Sequence, residues 1–316
     1  MNRIWAHLRS LWPRYPLLPS LPLPAYCLLM AAMGMLRWDH LVLAGIFLVL
    51  AYAHRRTQQF LVAFMGFFAI ALLYDSGRFI RNLGVSEDRV FNCGMHELEL
   101  AWFGLTDGHA RVTLQDYFQV HHHPALDLFF AVPYGVFIAV SVLYSAYLFF
   151  IDKRACQRFG WAFFVLNVFG IVTYHLMPAA PPWYFHKFGC AIQLDVSAYE
   201  GNALARVDAM TGLYYFRGFY GRAAEVFGAL PSLHVAYPLL MVFDGWRRNG
   251  RVSRGLSLFY FVWMCCAAVY LDHHWIPDLL LGWAYTGVVF VALRKLMPDA
   301  AAEPQLGPAP SLALRP

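Results

Sequence analysis

Long uninterrupted apolar stretches recur along this chain. Residues 126–150, for example, carry a single charged side chain, Asp127. A stretch of this length can cross a bilayer as a helix, and continuous apolar residues favour a helix over the alternating pattern of a barrel strand. The whole chain agrees, since 60% of its residues are hydrophobic, 14% are charged and its mean hydropathy is +0.48. The sequence therefore predicts an all-α integral membrane protein.

Six apolar segments are candidates for the core membrane helices. They lie at 58–75, 126–150, 159–178, 233–246, 255–272 and 277–297. Two shorter segments, 25–36 and 41–53, precede them, and each is too short to span a bilayer comfortably. These two form either a short hairpin around residues 37–40 or one broken pair of helices, and we favour the hairpin. The predicted architecture is a six-helix transmembrane bundle with an extra N-terminal pair of short helices.

The two ends of the chain differ from its apolar centre. Residues 1–24 interleave three arginines with aromatic side chains and lack the apolar core and cleavage site of a secretory signal. We expect this segment to lie on the membrane surface. Residues 298–316 have no apolar periodicity, which predicts a disordered cytoplasmic tail. The chain thus divides into an interfacial segment with the hairpin (1–57), the six-helix membrane domain (58–297) and the tail.

Basic residues are concentrated in the short connections between the predicted helices. These connections are 54–56, 152–158 and 247–254, and Arg294 and Lys295 close the last helix. Because loops rich in Lys and Arg stay in the cytoplasm, the other connections must lie on the opposite side of the membrane. Those connections are 76–125, 179–231 and 272–276. We expect them to face the periplasm of a bacterial inner membrane, or the lumen of an organelle.

The long connection at 76–125 contains two further features. The run 97–103 mixes Glu, Leu, Trp and Phe, which predicts a short amphipathic helix on the membrane surface. The consecutive residues 121–123 are all histidine, but neighbouring side chains on a regular backbone point in different directions, so we expect a solvated boundary segment rather than a metal site. Cys93 and Cys190 both fall on the oxidising side, which leaves a disulfide between them open.

Two polar islands interrupt the apolar C-terminal half. One contains His234, and the other contains His273, His274 and Asp278. The two apolar segments between the islands are joined by the basic turn at 247–254. If the first segment crosses the membrane and the second crosses back, His274 returns to the same face of the membrane as His234. Ionisable side chains at the rim of a membrane face are costly and indicate a functional site.

The residue types in these islands suit phosphoryl transfer. His274 and Asp278 are four positions apart, so on a continuous helix they share one face. Asp278 can then accept a proton from one ring nitrogen of His274 and leave the other nitrogen nucleophilic, while His234 protonates a leaving group. Two alternatives stay open: a metal site, because histidine is a common ligand, and a purely structural His–Asp pair. No cysteine lies nearby, and we predict no metal and no cofactor.

Segments 228–234 (GALPSLH) and 273–278 (HHWIPD) resemble the two histidine motifs of the phosphatidic acid phosphatase type 2 superfamily. Within it, the chain is similar to the fungal aureobasidin-sensitive inositol phosphorylceramide synthases and their bacterial relatives. The similarity also covers 174–184, 205–208, 126–127 and 133–136, and so extends from about residue 120 to 285. The resemblance implies that His274 is the nucleophile, Asp278 its partner and His234 the general acid.

Seven other residues are candidates for binding the substrate: Ser232, Asp127, Tyr184, Lys187, Asp208, Arg222 and His273. Asp127 opens a predicted membrane helix, and an N-terminal charge on that helix is an equally good explanation. Tyr184 belongs to the segment 181–184 (PPWY), which either anchors the chain at the interface or forms a wall of a headgroup pocket. Lys187 and Arg222 lie in a long loop with Arg206 and Arg217, and any of these cations can bind phosphate oxygens.

The sequence departs from the phosphatases of this superfamily at two places. The phosphatases carry an arginine six residues before the nucleophile, and this chain has Ala268 at that position. They also carry a Lys/Arg motif further upstream, and residues 178–183 replace it here. A phosphomonoester dianion needs those cations, because charge stabilisation dominates phosphoryl transfer. A phosphodiester carries one negative charge fewer. The departure favours a headgroup transferase over a phosphatase.

The resemblance implies transfer of a phospho-headgroup, phosphoinositol from phosphatidylinositol, to a lipid alcohol such as ceramide through a phosphohistidine. The expected partners are the phospholipid donor, the alcohol acceptor and the membrane, with no nucleic acid. Two other functions stay open. One is a lipid phosphatase acting on phosphatidate or a polyprenyl diphosphate, and the other is a non-enzymatic lipid transporter or binding protein.

Overall fold

The computed structural model describes residues 3–77, 79–80, 83–198, 202–221 and 226–298. In these ranges the chain forms fifteen α-helices, one short 3-10 helix and one two-stranded antiparallel ribbon. The all-α prediction is confirmed. Arg222 and nearly all of the predicted tail lie outside the described residues.

The N-terminal quarter consists of short helices. They are α1 (Arg3–Leu11), the 3-10 helix (Leu18–Ser20), α2 (Pro22–Ala32), α3 (Trp38–Tyr52), α4 (Arg55–Ala63) and α5 (Met65–Gly77). Helices α2 and α3 correspond to the two short predicted segments. They pack against α4 through a small apolar cluster that includes Leu23, Phe47 and Leu61. This cluster is separate from the main core of the protein.

The segment predicted as the span 58–75 is a broken helix. Helices α4 and α5 meet at an angle of 57°. Just after the break, Gly66 lies against the backbone of α9 (Lys153–Leu176), where a Cβ atom would come within 2.2 Å of the Gly160 carbonyl oxygen. Only glycine permits backbones to approach so closely. The bend and this contact dock α5 onto the centre of the protein.

The centre of the protein is a bundle of long apolar helices. They are α8 (Pro124–Ile151), α9, α13 (Leu233–Gly245), α14 (Arg251–Tyr270) and α15 (Ile276–Leu296). Four of them, α8, α9, α14 and α15, are long and apolar enough to cross a membrane, and the bent α4–α5 pair is a fifth candidate. The 13-residue α13 is shorter. A helix therefore exists at each of the six predicted places, while the count of six full spans stays a prediction.

Helix α13 lies in the middle of this bundle, and almost all of its residues are buried. It packs against α8, α9, α14 and α15. Gly282 of α15 lets the two backbones touch, because a Cβ atom there would lie 2.5 Å from the Ser232 carbonyl oxygen at the start of α13. The residues at the N-terminal end of α13 are thereby held against the first turns of α15.

The remaining elements belong to the two long connections. They are α6 (Cys93–Phe103), β1 (Leu105–Asp107), β2 (Ala110–Val112), α7 (Leu114–Val120), α10 (Pro182–Phe188), α11 (Asn202–Thr211) and α12 (Tyr215–Tyr220). A disulfide joins Cys93, the first residue of α6, to Cys190, two residues after α10, with their Cα atoms 5.4 Å apart. Isolated bridges also pair Ala179 with Phe91 and with Gly228. The two connections therefore form one layer.

The short helix predicted at 97–103 is present within α6, but one of its carboxylates does not face water. Glu99 is completely buried, and its Oε2 accepts a hydrogen bond of 2.9 Å from the backbone N–H of Ile276, the first residue of α15. The three histidines at 121–123 are exposed, as expected for a solvated boundary. His123 caps α8, since its Nδ1 accepts from the N–H of Ala125 at 3.2 Å.

Candidate active site

The second histidine motif forms a five-residue turn between α14 and α15, residues 271–275, which we call the histidine turn. The backbone N–H groups of His273 and His274 both donate to the carbonyl oxygen of Ala268, at 3.1 Å each. His274 therefore lies before α15 rather than within a continuous helix, which corrects the sequence interpretation. The physical reason is Pro277, which suits the first turn of a new helix and not the interior of an old one.

The histidine turn meets the first turn of α13. The Nδ1 atom of His234 lies 3.1 Å from the Nε2 atom of His274. This agrees with the predicted down-and-back path of α13 and α14. His274 is 5% exposed, whereas His234 is half-buried and is the more accessible of the two rings.

Asp278 lies on the far side of the His274 ring. Its Oδ2 is 3.4 Å from His274 Nδ1, and the same nitrogen is 3.0 Å from the carbonyl oxygen of Ala229. Both neighbours accept hydrogen bonds, so Nδ1 of His274 carries the proton and Nε2 keeps a free electron pair. Asp278 is completely buried and is fixed by the backbone N–H of Trp275, which donates to Oδ2 at 2.9 Å. The carboxylate therefore both orients His274 and caps α15.

The hydrogen bonds of His234 define the rest of the proton arrangement. Its Nε2 is 3.0 Å from the hydroxyl of Tyr220, which can donate, and its Nδ1 faces the free electron pair of His274. His234 therefore holds its proton on Nδ1. The ring of Tyr134 stacks on His234 with centroids 4.4 Å apart, and Phe137 packs at 4.7 Å. The aromatic rings fix the plane of the imidazole.

Ser232 and His273 flank the pair. The backbone N–H of Ser232 donates to the carbonyl oxygen of Asp278 at 2.9 Å, while its buried hydroxyl has no hydrogen-bond partner among the described residues. Nδ1 of His273 donates to the carbonyl oxygen of Leu271 at 2.8 Å. Burial lowers the pKa of His273 to about 4, so this ring is neutral at physiological pH.

Two of the predicted substrate-binding carboxylates are occupied by protein donors. Asp127, 1% exposed, forms a bidentate ion pair with Arg206, with both N···O distances 3.0 Å, and accepts from the Tyr270 hydroxyl at 3.0 Å. Asp208 accepts from the backbone N–H groups of Phe216 and Arg217 at 3.1 and 2.8 Å, and so caps α12. Both carboxylates organise the protein around the site, and direct contact with substrate stays a prediction.

The remaining candidates lie in the loop layer. Tyr184 is fully buried, and its hydroxyl is hydrogen-bonded to the backbone of Gln193. Lys187 is exposed at the end of α10, with its ammonium 5.2 Å from the centre of the Phe188 ring. Neither residue is joined to the histidine pair by a described hydrogen bond. Arg222 is not among the described residues.

A polar network behind the histidine turn was missed in the sequence. His186 of α10 bridges two carboxylates, with Nε2 at 2.8 Å from Asp116 and Nδ1 at 2.8 Å from Asp272. Gln119 donates to Asp272 at 2.5 Å, and Gln115 donates to the carbonyl oxygen of His274 at 3.0 Å. These residues are single polar positions in long loops, without a motif that could have marked them.

The charges in this network follow from burial and pairing. Burial opposes the charged form of His186, but hydrogen bonds with Asp116 and Asp272 outweigh it and raise the pKa of His186 to about 9. Burial also opposes ionisation of Asp116, yet its hydrogen bonds with His186 and His96 hold its pKa well below its usual range. Burial raises the pKa of Asp272 to about 6. At pH 7 to 8 one imidazolium therefore lies between two carboxylates.

An apolar groove of about 500 Å³ lies between α8 and α12. It is lined by Gly135, Phe137, Ile138, Val142, Tyr215 and Phe219, among others. Phe137 forms part of the groove and also touches His234. The site therefore combines a polar pair of imidazoles with an apolar surface that a hydrocarbon chain can occupy.

Comparison with known proteins identifies the family of this chain. A family model described as the PAP2 superfamily matches residues 109–292. The chain is 35% identical over 263 residues to the phosphoinositol dihydroceramide synthase of Bacteroides thetaiotaomicron, which covers 81% of this chain and 84% of that protein. No solved structure matches the chain significantly.

Fungal relatives match a shorter region. The inositol phosphorylceramide synthase catalytic subunit aur1 of Schizosaccharomyces pombe is 30% identical over 178 residues, or 55% of this chain and 42% of that protein. The AUR1 catalytic subunit of Saccharomyces cerevisiae is 29% identical over 184 residues, or 56% and 44%. Because the family model covers more than half of the chain and the bacterial relative four fifths of it, this chain belongs to the PAP2 superfamily.

Proposed function

We propose that this chain is a membrane phosphotransferase that moves phosphoinositol from phosphatidylinositol to the primary hydroxyl of a ceramide-type alcohol. The observation that carries the proposal is the meeting of His274 Nε2 and His234 Nδ1 at 3.1 Å, with Asp278 behind the His274 ring. The names of the relatives supply the headgroup and the acceptor class.

In the first half-reaction, the electron pair on Nε2 of His274 attacks the phosphorus of the donor phospholipid. The bond between phosphorus and the diacylglycerol oxygen breaks, and His234 delivers a proton to that oxygen. His234 must be an imidazolium for this step, and the anionic phosphodiester between the two rings stabilises that charge. Asp278 and the Ala229 carbonyl oxygen hold the proton on Nδ1 of His274, so they stabilise the phosphohistidine that forms.

In the second half-reaction, the acceptor hydroxyl transfers its proton to His234 and its oxygen attacks the phosphorus. The bond between phosphorus and Nε2 of His274 breaks, and the phospho-headgroup leaves on the acceptor. The phosphorus needs about 3 to 3.5 Å to His274 Nε2, and the oxygen that exchanges a proton needs about 3 Å to His234, so the two rings must move apart by several ångströms to admit the P–O bond between them. The 3.1 Å contact is therefore the resting arrangement.

Transfer to a lipid is favoured over hydrolysis by the surroundings of the pair. The groove that Phe137 borders is apolar and suits the chain of a lipid alcohol, while Tyr134 and Phe137 pack on the His234 ring and limit access of water to it. Ala268 is buried and contributes only its backbone to the histidine turn. The site thus lacks the arginine that a phosphomonoesterase carries there and suits a singly charged phosphodiester.

Among the sequence-predicted contacts, we assign Ser232 a role in substrate binding, because its buried hydroxyl has no partner among the described residues. It can donate to a phosphate oxygen. His273, Lys187 and Arg222 remain further candidates for the headgroup.

We further propose that the site faces away from the cytosol. His234 lies at the N-terminal end of α13, and the basic turn after Trp246 lies at the opposite end of the same helix. If that turn is cytoplasmic, the histidine pair faces the periplasm or an organelle lumen. A disulfide between Cys93 and Cys190 suits that side.

The experiment that tests the function is lipid product analysis of the purified protein in detergent. Labelled phosphatidylinositol, phosphatidylcholine and phosphatidylglycerol are supplied singly, with ceramide, with diacylglycerol or without an acceptor. His274→Ala is the blank, and His121→Ala, an exposed histidine on the same loop layer, is the matched control.

A labelled inositol phosphosphingolipid formed by the wild type and by His121→Ala, but not by His274→Ala, supports the proposal. Free phosphate or inositol phosphate released at the same rate with and without an acceptor contradicts it and indicates a hydrolase. A product with another headgroup keeps the reaction type but overturns the assignment of inositol.

A further inference from the structure

Asp272 of the histidine turn holds an unusual backbone conformation. Its φ is +65°, in the left-handed region that residues other than glycine rarely adopt. Such a conformation persists only when the surrounding structure imposes it. Asp272 is two residues before His274, so whatever holds Asp272 also sets the direction of the nucleophile.

The groups that hold Asp272 come from outside the helix bundle. Its carbonyl oxygen accepts from the backbone N–H of Trp183 at 3.0 Å. Its Oδ2 accepts from His186 Nδ1 at 2.8 Å and from Gln119 Nε2 at 2.5 Å. Three loop-layer residues thus converge on this single position.

His186 differs from the other two groups in having charge. It lies between Asp272 and Asp116, both of which are within 2.8 Å of its ring nitrogens. Among the residues that the structure describes, the other ionisable groups near it are His96 of α6, which is 3.1 Å from Asp116, and its chain neighbour Lys187, which is exposed. Without the imidazolium, two carboxylates would face each other in a largely buried space, which is strongly unfavourable.

We propose that His186 is a positioning residue for the transfer reaction, whose imidazolium bridges Asp116 and Asp272 and so keeps His274 Nε2 directed at His234 Nδ1. This inference rests on the proposed function. His186 does not touch the reacting atoms, and it acts through Asp272 and the backbone of the histidine turn. The turn must hold its geometry within a fraction of an ångström while the phosphoryl group passes from donor to acceptor.

His96 provides a matched control for His186. Its Nε2 also binds the Asp116 carboxylate, at 3.1 Å, and its ring stacks on the neighbouring Phe185 at 4.1 Å. It makes no described hydrogen bond to Asp272. His96 also lies edge-on to Trp275 of the histidine turn, with ring centroids 5.8 Å apart, and this contact carries no hydrogen bond. His96→Gln therefore removes a histidine from the same carboxylate but leaves the His186 bridge to Asp272 intact.

The test compares His186→Gln, His96→Gln and the double variant His186→Gln/Asp272→Asn in detergent. We expect His186→Gln to lower kcat about 100-fold with KM within about threefold of wild type, the loss that a misplaced reactive group causes. His96→Gln is expected to stay within about threefold of wild type, because the bridge to Asp272 remains. The double variant removes the uncompensated carboxylate as well, and we expect it to recover about tenfold of the lost kcat.

The pH profile separates positioning from a general loss of structure. The wild-type kcat is expected to fall as the pH rises through about 9, because His186 loses its proton there. This alkaline limb is expected to persist in His96→Gln and to disappear in His186→Gln. Equal kcat values for the two single variants, or an unchanged alkaline limb in His186→Gln, would overturn the inference.

Hydrogen–deuterium exchange of the peptide containing residues 271–275 gives a readout that needs no substrate. We expect the exchange rate to rise at least tenfold in His186→Gln and to stay near the wild-type rate in His96→Gln. If the wild type turns over no lipid, the proposed function fails, and the exchange still decides whether His186 holds the turn. Equal exchange in both variants would refute that role.

Discussion

The Nε2 atom of His274 lies 3.1 Å from the Nδ1 atom of His234, although the two residues are 40 positions apart in the chain. The His274 nitrogen that faces His234 carries no proton. The proton is on the other nitrogen, Nδ1, where Asp278 and a backbone carbonyl oxygen accept it. The pair is therefore a nucleophile and a proton carrier arranged around one point. The predictions below follow from this arrangement and from the contacts that support it.

Replacing the nucleophile should stop the reaction. We expect His274→Ala to lower transfer by about 10⁴-fold or more, since no other group can form the covalent intermediate. Without an acceptor, wild-type protein given headgroup-labelled phosphatidylinositol should retain acid-labile label on His274, measured by mass spectrometry of the peptide. Label on the peptide containing His234, and none on His274, would reverse the assigned roles.

Asp278→Asn should keep the fold and lose most of the activity. An amide accepts the Trp275 N–H as the carboxylate does, but it cannot stabilise the positive charge on a phosphorylated His274. By analogy with orienting carboxylates in other catalytic sites, we expect kcat to fall by about 10³-fold or more. Both kcat and the thermal midpoint of unfolding are measured, and Asp107→Asn, at an exposed position, is the control. Activity of Asp278→Asn within threefold of this control would contradict the orienting role.

Filling the groove should impair long-chain lipids selectively. Ala139 lines the groove, and Ala139→Trp occupies space that a hydrocarbon chain would use. We expect turnover of a long-chain acceptor to fall about tenfold or more, the effect of 1.4 kcal/mol in lost binding, while a six-carbon analogue is little affected. Val132→Trp, on an exposed position of α8 outside the groove lining, serves as control. Equal losses for both acceptors would indicate that the chain binds elsewhere.

The ion pair between Asp127 and Arg206 should stabilise the protein more than it contributes to catalysis. Asp127 is 2% exposed and Arg206 26% exposed in their side chains, so removing either partner leaves a poorly solvated charge. We expect Asp127→Asn or Arg206→Gln to cost about 2 to 3 kcal/mol, at the lower end of the usual range because Arg206 reaches water.

The two substitutions should also be non-additive. Because the double variant leaves no unpaired charge, we expect it to be more stable than the sum of the single losses predicts. Thermal unfolding in detergent gives the stability of the wild type, the two single variants and the double variant. Strict additivity would mean that the ion pair contributes nothing beyond the separate side chains.

Glu99 should make stability depend on pH in an identifiable direction. Burial raises its pKa from an ordinary value of 4.5 to about 7. The stability that this group contributes is therefore fully present below pH 4.5 and is lost as the pH rises through 7, because the charged form is disfavoured in the folded protein. Glu99→Gln keeps an acceptor for the Ile276 N–H and cannot ionise.

We expect the difference in thermal midpoint between Glu99→Gln and the wild type to shift in favour of Glu99→Gln as the pH rises from 5 to 8. Glu97→Gln, on the exposed face of the same helix, should track the wild type at both pH values. A constant difference between Glu99→Gln and wild type across this range would show that Glu99 does not titrate there.

Much of this arrangement was readable in the sequence because it depends on local properties of the chain. Apolar length predicted the helices. The four-residue separation pointed to Asp278 as the partner of His274, although His274 lies in the turn before α15 and not on a shared helix face. The return of the second island to His234 follows from two helices and one short turn. The break between α4 and α5 was not predicted, because it depends on where Gly66 meets another backbone.

The supporting contacts depend on partners far apart in the chain. Arg206 could have paired with phosphate, yet it binds Asp127, and His186 meets Asp116 and Asp272 across separations of 70 and 86 residues. The sequence predicted that Glu99 lies on the surface, but it is buried because α6 packs on the end of α15. Local sequence encodes helix formation and register, because those depend on neighbours within a few residues. The packing of whole elements selects the partner of a buried charge, because that charge must find its counterpart wherever the fold brings one within reach.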